Sequence, residues 1–331
     1  MKRIDAYWYS QNLVAWLLLP LTAFYCLLVF VRRFFYRTQI FKSFELPVPV
    51  IVVGNISVGG TGKTPLLISL CELLKQQGYR PGIVSRGYGG DFEGEHLVIK
   101  DDEAKQTGDE PYLISRRTDC PIVVGRNRVA AAQLLLKESD CNIILSDDGL
   151  QHYRLGRDIE IAIIDRSRQF GNGFCLPSGP LRESVSRLND VDFVVDHVVD
   201  LDKECNSFAL QFSDVINLKT TEIKPVSHFH DVQVHAVAGI GHPSRFFNQL
   251  KNNGLDVIEH DFPDHYVFTQ QDLMFNDDSP VLMTEKDAVK CQEFSGDNLW
   301  YVPVNAILSE TFHQQFLSKV NALAEKVCRY E

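Results

Sequence analysis

The sequence lacks an excess of basic residues, a Cys-x-x-Cys pair, an internal repeat and a low-complexity tract. It carries 33 lysines and arginines against 43 aspartates and glutamates, and the resulting net charge of −10 argues against nucleic-acid binding. Its eight cysteines are scattered, which favours a reducing compartment and argues against a disulfide framework or a zinc site. The length of 331 residues and the 45 % hydrophobic content predict roughly two domains with real cores.

Charge is also absent from residues 13–31, an apolar stretch of 19 residues that is interrupted only by Pro20 and Thr22. As a helix this stretch would be about 28 Å long, close to the thickness of a bilayer's hydrocarbon core. Aromatic and basic residues flank it, namely Tyr7, Trp8 and Tyr9 before it and Arg32, Arg33 and Arg37 after it. We therefore predict an N-terminal membrane helix, with the body of the protein on the cytoplasmic side by the positive-inside bias.

Two other interpretations of this stretch are weaker. A cleaved signal peptide is disfavoured because the apolar run is too long and no small-x-small cleavage site follows it. A helix buried in the protein core is disfavoured by the length and by the aromatic and basic flanks. Pro20 could kink the helix, so the sequence leaves open whether it spans the bilayer or lies in one leaflet.

A phosphate-binding loop follows the apolar run at residues 49–53 and comprises Ser57, Val58, Gly59, Gly60, Thr61, Gly62, Lys63 and Thr64. Glycines let backbone N–H groups turn toward phosphate oxygens, and the next helix would present its positive N-terminal end. Lys63 would reach the outer phosphates and Thr64 would place a hydroxyl on Mg²⁺. Ser57 stands where the usual pattern has glycine, so a turn that binds no nucleotide stays as the alternative. We predict a nucleoside triphosphate site.

The body of the chain alternates apolar strands with helical patterns, which indicates a parallel sheet with helices on both faces. We predict an α/β fold with three parts: a membrane anchor at residues 1–46, a P-loop kinase-like domain at 47–222 and a second, smaller α/β domain at 223–331. Strands are expected near residues 48–53, 82–85, 121–124, 142–145 and 159–164 in the first domain. A helix near residues 311–324 closes the second domain.

Two carboxylates, Asp147 and Asp148, end an apolar strand at residues 143–146. In a phosphate-loop enzyme an acid at this position holds Mg²⁺ directly or through water. An acidic turn after a strand is common, so this signal gains weight only beside the loop. Gln151 and His152 follow, and either is also an ordinary turn residue.

Other polar residues each have a functional and a structural interpretation, and the two are about even only for Asp109. Asp109 precedes an apolar helix and either caps it or takes a proton from an attacking hydroxyl. His265 is more often a core or surface histidine, but across a cleft it would support a base. Arg86 and Arg182 lie in loops rich in glycine and proline, where arginine suits phosphate recognition or is simply solvated.

Taken together, these segments resemble the tetraacyldisaccharide 4′-kinases of lipid A biosynthesis, from Tyr7 to about Pro303. The resemblance is carried by the order of short motifs at residues 53–55, 59–65, 85–89, 108–111, 147–152, 179–183, 238–243, 262–265 and 283–287. The family's own loop resembles this one at Ser57, and Leu150 stands where the family more often has Phe.

The resemblance implies a kinase that moves the γ-phosphate of ATP to the 4′-hydroxyl of a tetraacyldisaccharide 1-phosphate, forming lipid IVA. It also implies an enzyme at the cytoplasmic face of the bacterial inner membrane. The expected partners are the acylated disaccharide lipid and the bilayer, with no nucleic acid, and the expected state is a monomer.

The resemblance also assigns roles to residues. It implies Asp109 as the base with His265 as its partner, and residues 57–64 as the ATP site. Substrate contacts fall to Asn55, Arg86, Gln151 and Arg182. The expected ligands of Mg²⁺ are Thr64, Asp147, Asp148 and Glu183.

Two other functions stay open. A membrane-bound P-loop NTPase switch would hydrolyse nucleotide without phosphorylating a metabolite, and residues 284–287 resemble a guanine-selecting segment except that Lys286 and Asp287 are adjacent. A non-enzymatic membrane scaffold is weaker, because it would leave Lys63, Thr64 and the paired aspartates without a role.

Overall fold

The computed structural model describes residues 7–10, 12–201, 205–294 and 296–327. Its helices are α1 (Leu13–Leu17), α2 (Leu19–Arg37), α3 (Lys63–Gln76), α4 (Ala104–Thr107), α5 (Asp109–Thr118), α6 (Arg128–Glu138), α7 (Pro243–Asn252), α8 (Glu285–Ala288) and α9 (Glu310–Val327). The strands before residue 200 are β1 (Val50–Gly54), β2 (Pro81–Ser85), β3 (Glu95–Leu97), β4 (Ile122–Gly125), β5 (Ile143–Asp147), β6 (Ile159–Asp165) and β7 (Phe193–Val198). Those after it are β8 (Ser207–Phe212), β9 (Val215–Asn217), β10 (Ile223–Lys224), β11 (Gln233–Ala238), β12 (Asp256–Asp261), β13 (Val281–Thr284), β14 (Leu299–Val302) and β15 (Val304–Leu308).

The first sheet has nine strands in the order β15-β8-β7-β6-β1-β5-β2-β4-β3. The seven central strands pair in parallel, and β15 and β3 are antiparallel strands at its two edges. Strand β1 is central and buried at every position because all five of its residues, from Val50 to Gly54, lie between helices on both faces. The loop after β1 therefore lies at the middle of the carboxyl edge, where open parallel sheets bind ligands.

The second sheet has six strands in the order β10-β9-β14-β13-β11-β12. Strands β14, β13, β11 and β12 pair in parallel, and β9 pairs antiparallel with β14 and β10. Helix α7 packs one apolar face on this sheet through Phe246, Phe247 and Leu250. The predicted fold class is confirmed: a parallel sheet covered on both faces, a second smaller α/β unit and an N-terminal apolar helix.

Sheet membership does not follow the predicted domain ranges at two places. Strand β9 at Val215–Asn217 already belongs to the second sheet, and β15 returns to the edge of the first. Helix α9 contributes Phe312, Phe316 and Val320 to the core of the first sheet. The expectation that this helix closes the second domain is therefore wrong. The chain leaves the first sheet after β8 and comes back to it at residue 304.

The N-terminal apolar stretch forms two helices, with the break at Leu18. Pro20 lies in the first turn of α2, where its missing N–H leaves no helical hydrogen bond unmade. The apolar stretch is therefore interrupted just before the proline, as the sequence allowed. Among the described residues, α2 is the one helix long and apolar enough to cross a membrane by length and composition alone.

Candidate active site

The loop between β1 and α3 has the geometry of an anion cradle. Gly59 and Gly62 have φ angles of 116° and 87°, in the left-handed region that side chains disfavour. A Cβ atom on Gly62 would lie 3.1 Å from Nδ1 of His197, so the position also needs the missing side chain. Gly62 caps α3 without a side-chain hydrogen bond, so the first N–H groups of this 14-residue helix lack a side-chain acceptor.

Lys63 is held above this loop by oxygen atoms of two neighbours. Its Nζ lies 3.3 Å from Oδ1 of Asn55 and 3.7 Å from Oδ1 of Asp148. Asn55 is fully buried and also donates to Oγ1 of Thr61 at 3.2 Å. All its side-chain contacts are internal, so its burial supports a role in shaping the loop and does not support the predicted direct contact with substrate.

Asp147, at the end of β5, is buried, and only one of its two carboxylate oxygens has a hydrogen-bond partner. Its Oδ2 accepts a hydrogen bond from Ser85 at 2.9 Å, whereas its Oδ1 is buried without a hydrogen-bond partner. Burial, with the carboxylates of Glu110 and Asp148 nearby, raises the pKa of Asp147 to about 6. An uncompensated carboxylate oxygen of this kind is suited to a cation.

Asp148 has the opposite surroundings, although it is the next residue. Both of its carboxylate oxygens accept from Nη1 of Arg182 at 2.8 Å. Burial opposes its ionisation, but Lys63 and Arg182 outweigh burial and lower the pKa of Asp148 to about 2. Its φ of 48° turns the chain so that consecutive side chains meet different partners.

The donor set at this edge fits Mg²⁺. No group of three or more histidines, cysteines or carboxylates that could hold a metal occurs within the described ranges. Mg²⁺ usually binds through one or two carboxylates, with water and phosphate oxygens completing its shell. Oδ1 of Asp147 and the hydroxyl of Thr64, which lines the same cavity, suit this partial shell.

Glu183, the fourth predicted metal ligand, is buried and already engaged. Its Oε1 accepts from Nε2 of Gln151 at 2.8 Å and its Oε2 accepts from the hydroxyl of Tyr153. Gln151 also donates to the backbone carbonyl of Asn55 at 3.2 Å, and its Oε1 lies 3.4 Å from Arg182. Glu183 and Gln151 thus connect the arginine to the loop, and a metal would have to displace these bonds to use Glu183.

Asp109 and His265 meet across the two sheets. Nδ1 of His265 lies 3.2 Å from Oδ2 of Asp109, and the two side chains are 32 % and 15 % exposed. Asp109 begins α5, whereas His265 lies in the loop after β12 with a φ of 58°. A carboxylate bonded to a histidine and still reached by solvent is suited to accept a proton from a bound hydroxyl.

A cavity of about 570 Å³ joins these parts. Its wall includes the phosphate loop, both aspartates of β5, His265, and the two predicted arginines, of which Arg86 is exposed at this edge. The sequence reasoning missed three charged residues beside the cavity: Glu110, Lys286 and Arg128. Nη2 of Arg128 donates to the backbone carbonyl of Asp147 at 3.0 Å, and burial lowers the pKa of Arg128 to about 10. Glu110 and Lys286 lie within the motif segments 108–111 and 283–287, but no role was predicted for them because their ion-pair partners are distant in sequence.

Comparison with known proteins agrees with this geometry. The profile of the family described as tetraacyldisaccharide-1-P 4′-kinase matches residues 14–321. The chain is 49 % identical to the tetraacyldisaccharide 4′-kinase of Nitrosococcus oceani, over 98 % of this chain and 96 % of the relative. It is 46 % identical to the enzyme of the same name from Pasteurella multocida, over 97 % of this chain and 99 % of the relative.

A solved structure is similar over the whole fold. It is the crystal structure described as the "apo" form of LpxK from Aquifex aeolicus in complex with ATP. The similarity covers 93 % of this chain and 100 % of that chain, with a TM-score of 0.79 and 28 % sequence identity. With the family profile spanning most of the chain and relatives this close, the protein belongs to the tetraacyldisaccharide-1-P 4′-kinase family.

Proposed function

We propose that this protein transfers the γ-phosphate of ATP to the 4′-hydroxyl of a tetraacyldisaccharide 1-phosphate, producing lipid IVA. The observation that carries the proposal is the 3.2 Å contact between Asp109 and His265 beside the cavity that contains Lys63. A phosphate cradle alone would suit any nucleotide-binding protein. A carboxylate–histidine pair, whose histidine lines the same cavity as the cradle, is what transfer to a hydroxyl group needs.

The chemistry follows from the positions of these groups. Asp109 accepts the proton of the 4′-hydroxyl while the sugar oxygen forms a bond to the γ-phosphorus. The bond between the γ-phosphorus and the bridging oxygen breaks, and ADP leaves with its electron pair. His265, with Nδ1–H toward Asp109, orients the carboxylate and stabilises its charge. In-line alignment of the two substrates supplies most of the remaining rate.

Negative charge on the transferring group is neutralised from the first-sheet side. The ammonium group of Lys63 and the N–H groups of the loop face the position of the outer phosphates. Thr64, Asp147 and Asp148 would hold Mg²⁺, which when bound would supply further neutralisation of phosphate charge. Arg86 and Arg182 are the proposed contacts to substrate, and Gln151 keeps Arg182 in place.

Membrane attachment is proposed to occur through α2 as an interfacial helix. One of its faces packs on the body along its length: Thr22 donates to Ser178 at 2.7 Å, Tyr25 to the carbonyl of Arg182 at 2.8 Å, and Arg32 to the carbonyl of Gln151 at 3.3 Å. The other face exposes apolar side chains, namely Leu21, Phe24, Leu27, Leu28, Phe30 and Phe34. A helix fixed to the body at both ends suits insertion of one face into a leaflet, which would place the cavity beside the lipid headgroups.

Cytoplasmic placement is proposed because ATP and Mg²⁺ are there, and the membrane concerned would then be the bacterial inner membrane. The basic residues Arg32, Arg33 and Arg37 would be attracted to anionic headgroups by about 1 kcal/mol each, despite the acidic protein. A monomer is sufficient for the proposed activity, because Asp109 and His265 come from the same chain.

The switch alternative is less well supported by the surroundings of residues 284–287. Asp287 is fully buried, and its Oδ2 accepts from N–H of Gly239 at 2.8 Å and from the hydroxyl of Thr284 at 2.6 Å. An aspartate that reads a guanine base must present its oxygens to the ligand. Here they serve the protein's own backbone and side chain.

The test is transfer of labelled γ-phosphate from ATP to purified disaccharide 1-phosphate lipid, followed by location of the new phosphate. The proposal expects label on the 4′-oxygen and slow ATP hydrolysis when lipid is omitted. Brisk hydrolysis that is insensitive to the lipid would favour the switch. Label on another oxygen would refute the assigned acceptor.

A further inference from the structure

Helix α5 is the element through which the first sheet meets the second-sheet unit. Beyond the contact of Asp109, Oε1 of Glu110 lies 3.0 Å from Nζ of Lys286. The hydroxyl of Tyr112 donates to Gln292 at 2.9 Å. At the other end of the helix, Nη1 of Arg117 lies 2.6 Å from Oε2 of Glu285. Adjacent residues of α8 therefore hold opposite ends of α5.

Lys286 lies at the centre of these contacts. Its Nζ bridges Oε1 of Glu110 at 3.0 Å and Oδ1 of Asp264 at 3.7 Å, and its side chain is only 18 % exposed. Glu110 is the next residue after Asp109, and Asp264 immediately precedes His265. The lysine thus contacts the sequence neighbour of each member of the pair. The contacts form a closed ring: Asp109 to His265, then Asp264, Lys286, Glu110 and back to Asp109.

The loop that carries His265 needs such a support. His265 has a φ of 58°, in the left-handed region that residues with side chains disfavour. Its own N–H donates to Oδ1 of Asp264 at 3.1 Å, so the aspartate shapes the turn from within. The same Oδ1 of Asp264 lies 3.7 Å from Nζ of Lys286, and this contact ties the turn to the start of α5.

We propose that Lys286 is a positioning residue for phosphoryl transfer. By forming ion pairs with both Glu110 and Asp264, it sets the distance between Asp109 and His265. The inference rests on the proposed function, because the pair it positions is the proposed proton acceptor and its partner. Lys286 touches neither reacting group and acts through the pair. Its role also accounts for residues 284–287, in which Thr284 and Asp287 bond internally and Lys286 faces the cavity.

A double-mutant cycle tests this role. Lys286→Met should lower kcat for lipid phosphorylation by about 100-fold, as small misplacement of reacting groups does, with the KM for ATP within about twofold of the parent value. Lys286→Arg should recover activity to within about tenfold, because arginine can bond both carboxylates. In a His265→Ala background, Lys286→Met should cost less than about threefold, because the pair is already broken.

Two further variants keep the test decisive if Lys286→Met folds poorly. Asp264→Asn retains an oxygen acceptor for the N–H of His265 but removes the charge that Lys286 contacts, and should lower kcat by about tenfold. Lys251→Met is the matched control, since Lys251 forms an exposed ion pair with Glu259 at 2.6 Å, and should leave kcat unchanged.

A measurement without lipid separates this inference from the proposed function. The ring resonances of His265, assigned through their loss in His265→Ala, should move in Lys286→Met and Asp264→Asn but stay in place in Lys251→Met. Unmoved resonances would overturn the inference, and so would losses of kcat that add fully in the double mutant. A parent enzyme that transfers no phosphate would refute the function, and these resonances would still decide the role of Lys286.

Discussion

The two sides of the cavity are built in different ways. On the first-sheet side, the loop and Lys63 come from the consecutive segments β1, loop and α3, and Asp147 ends the neighbouring strand β5. The contacts of Lys63 and Asp147 are made within that unit. On the second-sheet side, His265 lies in a loop and Lys286 on a helix of four residues. Their polar partners, Asp109 and Glu110, belong to the other unit.

This difference assigns ATP binding to one side of the cavity and proton transfer to contacts between the two sides. The cradle needs only local structure to hold phosphate, because its glycines, helix N-terminus and lysine are adjacent in the chain. The proposed proton-accepting pair of Asp109 and His265 exists only while the second-sheet unit is docked on α5. Substitutions on the first side should therefore change ATP affinity, whereas substitutions at the pair should change turnover and leave ATP affinity intact.

The largest effect is expected for Asp109→Asn. Loss of the proton acceptor should lower kcat by about 10³-fold, while the Kd for Mg-ATP by calorimetry stays within about twofold. Lys63→Met should weaken ATP binding as well, which gives the contrast between the two sides. Asp140→Asn, at a carboxylate that is 87 % exposed, is the matched control. Equal loss of ATP binding in Asp109→Asn would show that this residue organises the nucleotide site.

A smaller loss of turnover is expected for His265→Ala. Without its histidine partner the Asp109 carboxylate is less well oriented, and kcat should fall by about 10²-fold with ATP affinity retained. Single-turnover transfer of labelled phosphate measures this step directly. A fall of less than about threefold would mean that the second-sheet side contributes no partner to the base.

On the first-sheet side of the cavity, replacing the adjacent residues Asp147 and Asp148 should change the free energy of unfolding in opposite directions. Burial and the neighbouring carboxylates raise the pKa of Asp147 to about 6, so its ionised form costs folding free energy above that pH. At pH 7.5 with chelator, Asp147→Asn should stabilise the protein by on the order of 2 kcal/mol. This stabilisation by the substitution should decrease as the pH falls from about 6 toward 3.8, the pKa of this aspartate in the unfolded chain.

Asp148→Asn is the matched opposite. Although burial opposes its ionisation, Lys63 and Arg182 lower the pKa of Asp148 in the folded protein to about 2. The charge of Asp148 therefore stabilises the folded state fully at pH values above 3.8, the pKa of the unfolded chain. This stabilisation is lost as the pH falls through 2. Replacement should cost on the order of 2 kcal/mol at pH 7.5, and most of that cost should remain at pH 4. Urea unfolding of both variants measures whether each substitution raises or lowers the free energy of unfolding. Effects of the same sign would contradict the different surroundings assigned to these residues.

The smallest effect concerns α2. Phe24→Asp and Leu28→Asp, at side chains 60 % and 53 % exposed, should each lower partitioning to anionic vesicles by about tenfold. ATP affinity should not change, since neither residue lines the cavity. Val199→Asp, at an apolar side chain that is 84 % exposed on the body, is the control. Equal losses in all three variants would argue against membrane attachment through the exposed face of α2.

The same contrast between the two sides explains what the sequence could predict. The cradle, β1, β5 and the paired aspartates were predictable because each is a local pattern of glycines, apolar runs and terminal carboxylates. Asp109 and His265 are 156 residues apart, so their pairing came from the family resemblance and not from spacing. Glu110 and Lys286 are 176 residues apart, so their ion pair could not be predicted from spacing, although each lies in a motif of the resemblance.

The errors of the sequence reasoning also have physical causes. Strand β15 and helix α9 follow a run of second-sheet strands in the chain, and sequence order gives no sign that they return to the first core. The interruption that the sequence allowed at Pro20 takes the form of a break at Leu18, with Pro20 in the first turn of the helix that follows. Asn55 and Glu183 stay predicted ligand contacts, and in this structure their polar groups are buried and bonded internally. Such occupancy is set by tertiary contacts.

The central claim is that Asp109, held by His265, takes the proton from the accepting hydroxyl at the mouth of the phosphate loop. A crystal structure with Mg²⁺, a non-hydrolysable ATP analogue and the disaccharide lipid tests it most directly. The account predicts a carboxylate oxygen of Asp109 within about 3.2 Å of the 4′-oxygen, with that oxygen in line with the γ-phosphorus. A 4′-oxygen that lies against another carboxylate, with Asp109 beyond hydrogen-bond reach, would contradict it.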